Sequence, residues 1–155
     1  MSVAAAAPLL ALLCRARSRL CALPLEHLVE SMRPLPVVPL AGVPPFVSGV
    51  SIIRGAPVPV MDLGSFLGVA EPPQPTRFVT LRAGHRQVAL AVEEILGLRG
   101  LLPASLDEMP PLLGHASEQA VRAVGTLDAE LLLALRTARL VPESVWRALE
   151  AEGRE

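Results

Sequence analysis

Residues 48–63 read SGVSIIRGAPVPVMDL, and this stretch decides the fold. Two apolar segments rich in Val and Ile flank Arg54-Gly55, a pattern typical of two strands joined by a tight turn. Gly55 permits the positive φ that such a turn needs. Asp62 ends the second segment, where its carboxylate can accept backbone N–H groups or cap a following helical turn over residues 64–67. The stretch therefore predicts a β-hairpin.

The rest of the chain repeats the pattern of short apolar runs separated by turn residues. The runs cover residues 9–14, 20–25, 50–53, 58–63, 78–81, 88–92, 95–98, 121–127 and 131–135. Their spacing favours small β-barrels over alternating strands and helices. The sequence therefore predicts a mostly β protein.

Proline placement refines this prediction, because proline has no N–H to donate and is confined to strand edges, strand starts and connections. Five of the 16 prolines lie within residues 33–45, which we interpret as an extended connection along the surface. A second cluster, Pro72-Pro73-Gln74-Pro75, indicates a boundary between two halves of the chain. After Pro142, apolar residues recur at helical spacing, which predicts a C-terminal helix.

Composition limits the core and the partners. Hydrophobic residues make up 52% of the 155 residues and aromatic residues only 3%, so the core must consist of Leu, Val, Ile and Ala. Charged residues are 19%, which leaves apolar surface for protein partners. The formal net charge of −1 provides no electrostatic argument for nucleic acid or for an anionic membrane.

The two cysteines, Cys14 and Cys21, are too few for a disulfide scaffold or a zinc site. They flank a polar stretch, so they can face each other across a hairpin, but two reduced thiols in the core are favoured. The apolar run over residues 4–13 has no basic residue before it and falls well short of the roughly 20 residues that span a bilayer. We therefore predict a cytoplasmic protein whose first buried strand covers residues 9–14, with no direct membrane insertion.

The sequence offers no catalytic constellation. His27, His85 and His115 lie far apart and lack the spacing of a zinc site. Glu93 and Glu94 are neighbours on a predicted strand, so they point to opposite faces and cannot converge on one substrate atom. We expect one to be solvated and one paired. The sequence therefore predicts a binding module with no catalytic residue, no metal and no cofactor.

The hairpin resembles the signature of the CheW family of chemotaxis coupling proteins, which reads G-V-x-N-L-R-G-x-V-x-P-V-x-D-L. This chain has Gly49-Val50, Ile53-Arg54-Gly55, Pro59-Val60 and Asp62-Leu63 in register. Upstream, Leu28-Val29-Glu30 resembles the family's V-x-E. The similarity continues in order from about residue 9 to residue 141.

The resemblance implies one CheW-like domain over residues 1–155, built of two small five-stranded SH3-like β-barrels around a shared apolar core. Their approximate limits are residues 1–71 and 76–141, with the C-terminal helix over residues 142–155. It also implies a non-catalytic adaptor. Such proteins link the cytoplasmic tip of methyl-accepting chemoreceptors to the regulatory domain of the histidine kinase CheA in signalling arrays.

Glu30 and Arg54 match the family's Glu and Arg in the receptor-binding region. The resemblance implies the same role here, while an exposed turn arginine and a solvated carboxylate are the simpler interpretations. Apolar neighbours can line a groove for a receptor helix or belong to the core. These neighbours are Leu28, Met32, Val50 and Ile52.

Four positions depart from the family pattern. Ile52 stands at the Asn position, Pro57 replaces the Val after the turn, Ala123 stands nearest a frequent glycine, and Arg136 stands where Asp or Asn is frequent. They leave open a divergent accessory protein that binds receptors but couples weakly to the kinase. Two further hypotheses are a small β-barrel enzyme and a fragment of CheA, which ends in the same fold. Met1 and the domain length favour a separate adaptor.

Overall fold

The computed structural model describes residues 9–101, 106–108, 121–127, 130–135, 141 and 143–152. The strands are β1 Leu9–Ala16, β2 Arg19–Pro24, β3 Leu28–Met32, β4 Val47–Ile53, β5 Ala56–Asp62, β6 Arg77–Ala83, β7 Arg86–Val92, β8 Glu94–Leu101, β9 Leu106–Glu108, β10 Val121–Leu127 and β11 Glu130–Leu135. Two short α-helices, α1 Leu63–Phe66 and α2 Glu143–Glu152, accompany a 3₁₀ turn at Leu25–His27. The predictions of a mostly β fold and of a C-terminal helix are confirmed, although Pro142 itself lies outside the described residues.

The described strands form two sheets. Sheet A has the order β8-β1-β2-β11-β10-β9, and sheet B has the order β3-β6-β7-β5-β4. Neighbours are antiparallel except for β2 with β11 and β5 with β7, which are parallel. Sheet A therefore has six described strands where five were expected. Both sheets take strands from either side of the proline cluster at 72–75, so the sheets do not coincide with the halves 1–71 and 76–141.

The sheets differ from the predicted halves because strands that are distant in the sequence pair with each other. The chain passes from sheet B to sheet A between β7 and β8, with only Glu93 between them. β1 then pairs along its length with β8, from Leu9 opposite Leu101 to Arg15 opposite Glu94. Runs of apolar residues show where strands lie, but they do not show which strands pair.

Both faces of the central strands are buried, which explains why their apolar runs are continuous instead of alternating. In β2, Cys21 and Leu23 point into a cluster shared by the two sheets, whereas Leu20 and Ala22 point into a separate cluster of sheet A. A third cluster belongs to sheet B alone. It consists of Ile53, Val58, Val60, Phe78, Ala89 and Ala91.

Chain length shows that sheet A is strongly curled. Its two edge strands, β8 and β9, are joined by the four residues 102–105. Five Cα steps between Leu101 and Leu106 reach at most about 18 Å. The edges of a flat six-stranded sheet would lie roughly 24 Å apart. The sheet is therefore curved, but its described edge strands do not pair with each other, so a closed barrel is not seen among the described residues.

The predicted hairpin is β4 and β5. Arg54 has φ 54° and Gly55 has φ 80°, which is the pattern of a type I′ turn. The closing pair is Ile53 with Ala56, and Ile52 lies opposite Pro57. In such a hairpin the closing pair is hydrogen-bonded and the next pair is not. Pro57 therefore removes no hydrogen bond between β4 and β5.

The proline-rich connection over residues 33–45 is mostly exposed, as the sequence predicted, and it lies along β4. Val38 and Val50 exchange two backbone hydrogen bonds of 2.8 Å each, and the Ser51 hydroxyl donates to the Pro36 carbonyl at 2.7 Å. Gly49, with φ +144°, makes this approach possible, because a Cβ there would overlap the Val38 carbonyl. The edge of sheet B is thereby partly covered.

Candidate functional site

The two predicted charged residues are in contact. Arg54 donates from Nε to Glu30 Oε2 at 2.9 Å and from Nη2 to Glu30 Oε1 at 2.8 Å, a bidentate pair. The Arg54 side chain is 78% exposed and that of Glu30 is 26% exposed. The hydrogen bond from Arg54 lowers the pKa of Glu30, so Glu30 carries its charge at neutral pH. The site is an ion pair that presents its cation to solvent.

This ion pair connects the two edges of sheet B. Glu30 belongs to β3, which is one edge strand, and Arg54 lies in the turn at the end of β4, which is the other. In a flat sheet of five strands, the two edge strands would lie roughly 19 Å apart, which is beyond the reach of the two side chains. Sheet B is therefore curled at the site, and the ion pair joins its edges there.

Thr80 fixes the backbone of Glu30, a contact that was not predicted from the sequence. The Glu30 N–H donates to Thr80 Oγ1 at 3.2 Å, and the Thr80 hydroxyl donates to the Glu30 carbonyl at 3.2 Å. Thr80 is fully buried on β6, opposite Glu30, where the register shifts. The available signal was one hydroxyl within the otherwise apolar run over residues 78–81.

The four predicted apolar residues divide between core and surface. Leu28 is half-buried and packs against the shared cluster, and Met32 is half-buried against the cluster of sheet B. Val50 is half-buried, while Ile52 is 64% exposed two residues before Arg54. Val38, which pairs with Val50, is also 64% exposed. An apolar surface therefore lies along β4 beside the ion pair.

The groups considered for chemistry are held in structural roles or lie apart. Cys14 and Cys21 face each other in register as fully buried free thiols, and burial raises the pKa of Cys21 to about 12 and that of Cys14 well above its usual range. His27 and His85 lie in separate turns of the chain. His115 lies outside the described residues, as does Arg136.

The two acidic neighbours bind different arginines: Glu93 pairs with Arg17, and Glu94, which is 59% exposed, lies 4.0 Å from Arg15 Nε. Both are therefore paired, where one was expected to be solvated. Within the described part of the chain, His, Cys, Asp and Glu form no group of three that could hold a metal ion. In the same residues, no helix combines the length and the apolar character needed to cross a membrane.

The fold and the site together define a class: a two-sheet β protein with an exposed ion pair and an apolar strand surface on one hairpin. Residues 10–145 match the family described as the CheW-like domain. Protein FrzA of Myxococcus xanthus is 34% identical over 127 residues, covering 75% of this chain and 78% of that protein. The chain therefore belongs to the CheW-like domain family, which confirms the resemblance drawn from the hairpin.

A solved structure agrees on the fold. The scaffolding protein TtCheW from Thermoanaerobacter tengcongensis superimposes with a TM-score of 0.76 and 17% sequence identity. The match covers 86% of this chain and 92% of that chain. At this identity the likeness concerns the fold, and it extends over nearly all of both chains.

Proposed function

We propose that this protein is a non-catalytic adaptor of a chemosensory system that links chemoreceptors to a CheA-type histidine kinase. Membership of the CheW-like family supports the proposal, and the similarity to a protein described as a scaffold agrees with it. In this proposal the chain acts as one CheW-like domain in the cytoplasm, at receptor arrays. It uses no cofactor and binds neither nucleic acid nor the membrane directly.

The observation that carries the proposal is the arrangement around Arg54. A guanidinium that is 78% exposed and already oriented by Glu30 presents its remaining N–H donors outward. Ile52 and Val38 expose apolar area on the same hairpin edge. Apolar contacts flanked by an oriented charge suit an amphipathic helix laid against the surface. We assign the cytoplasmic tip of a methyl-accepting chemoreceptor as that helix.

The proposed receptor surface contains the ion pair and its apolar neighbours: Glu30, Arg54, Leu28, Met32, Val50 and Ile52. Ile52 contributes the most exposed apolar area among them. Leu28 and Met32 contribute the outer parts of side chains whose inner parts pack into the clusters. In this proposal they form the walls of the groove.

The test is a pull-down with the receptor tip. Arg54→Glu reverses the charge and repels Glu30, so binding should fall, whereas Arg82→Glu makes the same charge change at an exposed position of β6 and should bind normally. The exchange Glu30→Arg with Arg54→Glu restores an ion pair but reverses its exposed charge. If Arg54 contacts the receptor directly, the exchange does not restore binding. Full binding by Arg54→Glu would remove Arg54 from the site.

A divergent accessory role is the second candidate, and Ile52 at the Asn position favours it because an exposed apolar side chain replaces a polar one. Pro57 does not add to this candidate, because it lies at a pair without a hydrogen bond. A pull-down with the regulatory domain of the kinase separates the two candidates. Robust binding would contradict the divergent role, and receptor binding without kinase binding would establish it.

A further inference from the structure

A buried cluster of charges lies where the two sheets meet. Arg17, in the turn between β1 and β2, has a side chain that is only 2% exposed. Its Nη1 donates to Asp62 Oδ1 at 2.9 Å and to Glu93 Oε1 at 3.0 Å, and its Nη2 pairs with Asp62 Oδ2 and donates to Ser65 Oγ at 3.3 Å. Its backbone has φ 56°, a conformation that non-glycine residues rarely adopt. One guanidinium thus holds two carboxylates.

The partners of Arg17 come from different parts of the fold. Arg17 lies in the turn that joins two strands of sheet A. Asp62 ends β5 in sheet B, where its carboxylate also accepts the Ser65 N–H and caps α1. Glu93 is the single residue at which the chain passes from β7 of sheet B to β8 of sheet A. The guanidinium on the β1–β2 turn of sheet A is therefore bound both by the end of β5 and by the residue that joins the two sheets.

Backbone hydrogen bonds tie the same residues together. The Arg17 N–H donates to Glu93 Oε1 at 2.6 Å, and the Glu93 N–H donates to the Arg15 carbonyl at 2.9 Å. Arg17 Nε donates to the Glu71 carbonyl at 2.9 Å, and the Gln74 N–H donates to Glu93 Oε2 at 3.0 Å. The cluster therefore also holds the connection between α1 and β6, which contains the proline cluster at 72–75.

Gly64 provides the space for the guanidinium. A Cβ at Gly64 would lie 2.5 Å from Arg17 Nη1 and 2.8 Å from Arg17 Cζ. Gly64 has no positive φ, so the requirement at this position is for space and not for backbone conformation. The first turn of α1 is thus shaped around Arg17.

Arg15 provides an internal comparison. It lies two residues earlier, and its ion-pair partners, Glu130 on β11 and Glu94 on β8, belong to sheet A like itself. Its side chain is 30% exposed. The ion pairs of Arg15 therefore lie within one sheet, whereas those of Arg17 connect two.

We propose that the hydrogen bonds and ion pairs of Arg17 fix the orientation of sheet A relative to sheet B. A planar guanidinium with five donors can hold two carboxylates, a hydroxyl and a carbonyl at fixed angles, which a lysine ammonium at the same place cannot do. Burial of the shared apolar cluster keeps the two sheets together. Because the hydrophobic effect is non-directional, this burial does not by itself fix the angle between the sheets. The directional bonds of Arg17 select one orientation among those that the cluster allows.

Pulsed electron paramagnetic resonance tests this directly. Spin labels are attached to Ser48→Cys in sheet B and to Leu98→Cys in sheet A, both exposed, while Cys14 and Cys21 are buried. The parent should give one narrow distance distribution, and so should the control Arg15→Met. Arg17→Met should give a broadened or shifted distribution, and Arg17→Lys an intermediate one.

Loss of folding must be separated from loss of orientation. The triple variant Arg17→Met, Asp62→Asn, Glu93→Gln removes the charges of all three members of the cluster, so it is the form measured if Arg17→Met alone does not fold. It should remain folded by circular dichroism and still show the broadened or shifted distribution. A parent-like distance distribution in a folded variant that lacks Arg17 would overturn the proposal. The measurement requires no receptor or kinase, so its result is independent of the adaptor function.

Discussion

Replacing Arg17 by Met should cost the protein a large part of its stability. The substitution keeps an unbranched side chain but removes the guanidinium from Asp62, which is 5% exposed, and from Glu93, whose side chain is 16% exposed. Removing one partner of a buried ion pair costs about 3–5 kcal/mol, because the remaining charge stays buried without compensation. A domain has about 5–15 kcal/mol of stability in total. For a chain of this length, the loss corresponds to a fall in Tm of about 6–20 °C.

The loss should depend on pH in a definite direction. Burial, the largest effect, raises the pKa of Asp62, but Arg17 and Ser65 together outweigh it and the pKa is lowered. The stability from this group is therefore present above the unfolded pKa and is lost as pH falls through the folded pKa. Without Arg17 only the raising effect of burial and the Ser65 bonds remain. The difference between parent and variant should thus be largest at neutral pH and shrink in acid.

The assay is urea unfolding followed by circular dichroism at pH 7 and at about pH 3, below the ordinary Asp pKa of about 3.9. Arg15→Met is the matched control, and it should lose much less stability because its ion pairs are more exposed. Equal losses from the two variants, or a loss from Arg17→Met that is the same at both pH values, would refute the reasoning from buried charge.

Three further predictions concern other parts of the fold. Thr80→Val should lower stability by about 1–3 kcal/mol, measured by urea unfolding, because the part-buried N–H and carbonyl of Glu30 lose their hydrogen-bond partner; an unchanged midpoint would contradict this role. Gly49→Ala should destabilise the chain and raise amide hydrogen exchange in β4, since a Cβ overlaps a neighbouring carbonyl; parent-like exchange would count against it. Cys14 and Cys21 should resist iodoacetamide in the folded protein and react after unfolding, as mass spectrometry would show, because burial raises the pKa of both thiols; rapid native labelling would contradict their burial.

Local features were predictable from the sequence, and long-range ones were not. The hairpin around Arg54-Gly55 and the cap formed by Asp62 depend on residues within a few positions, and both are confirmed. The pairing of β1 with β8 joins segments roughly eighty to ninety residues apart, and no local pattern encodes it. The proline cluster at 72–75 does lie in a connection between strands, but it does not divide the strands of one sheet from those of the other.

The buried ion cluster was the main omission. Arg17 stands in the polar stretch Arg15-Ala16-Arg17-Ser18-Arg19, where three arginines look equally solvated. In the structure Arg19 is exposed, Arg15 is half-buried and Arg17 is buried. What distinguishes Arg17 is the convergence of distant carboxylates. Asp62 and Glu93 are far apart in the sequence, and they approach each other only in the folded arrangement of the two sheets.

Co-sedimentation tests the adaptor claim most directly. Membranes that contain a chemoreceptor are mixed with the CheA-type kinase, with and without this protein, and the kinase in the pellet is measured. The protein should raise the amount of kinase in the pellet, Arg54→Glu should reduce this gain, and Arg82→Glu should preserve it. Sedimentation of this protein with the receptor and no increase in pelleted kinase would contradict the claim that it links the two.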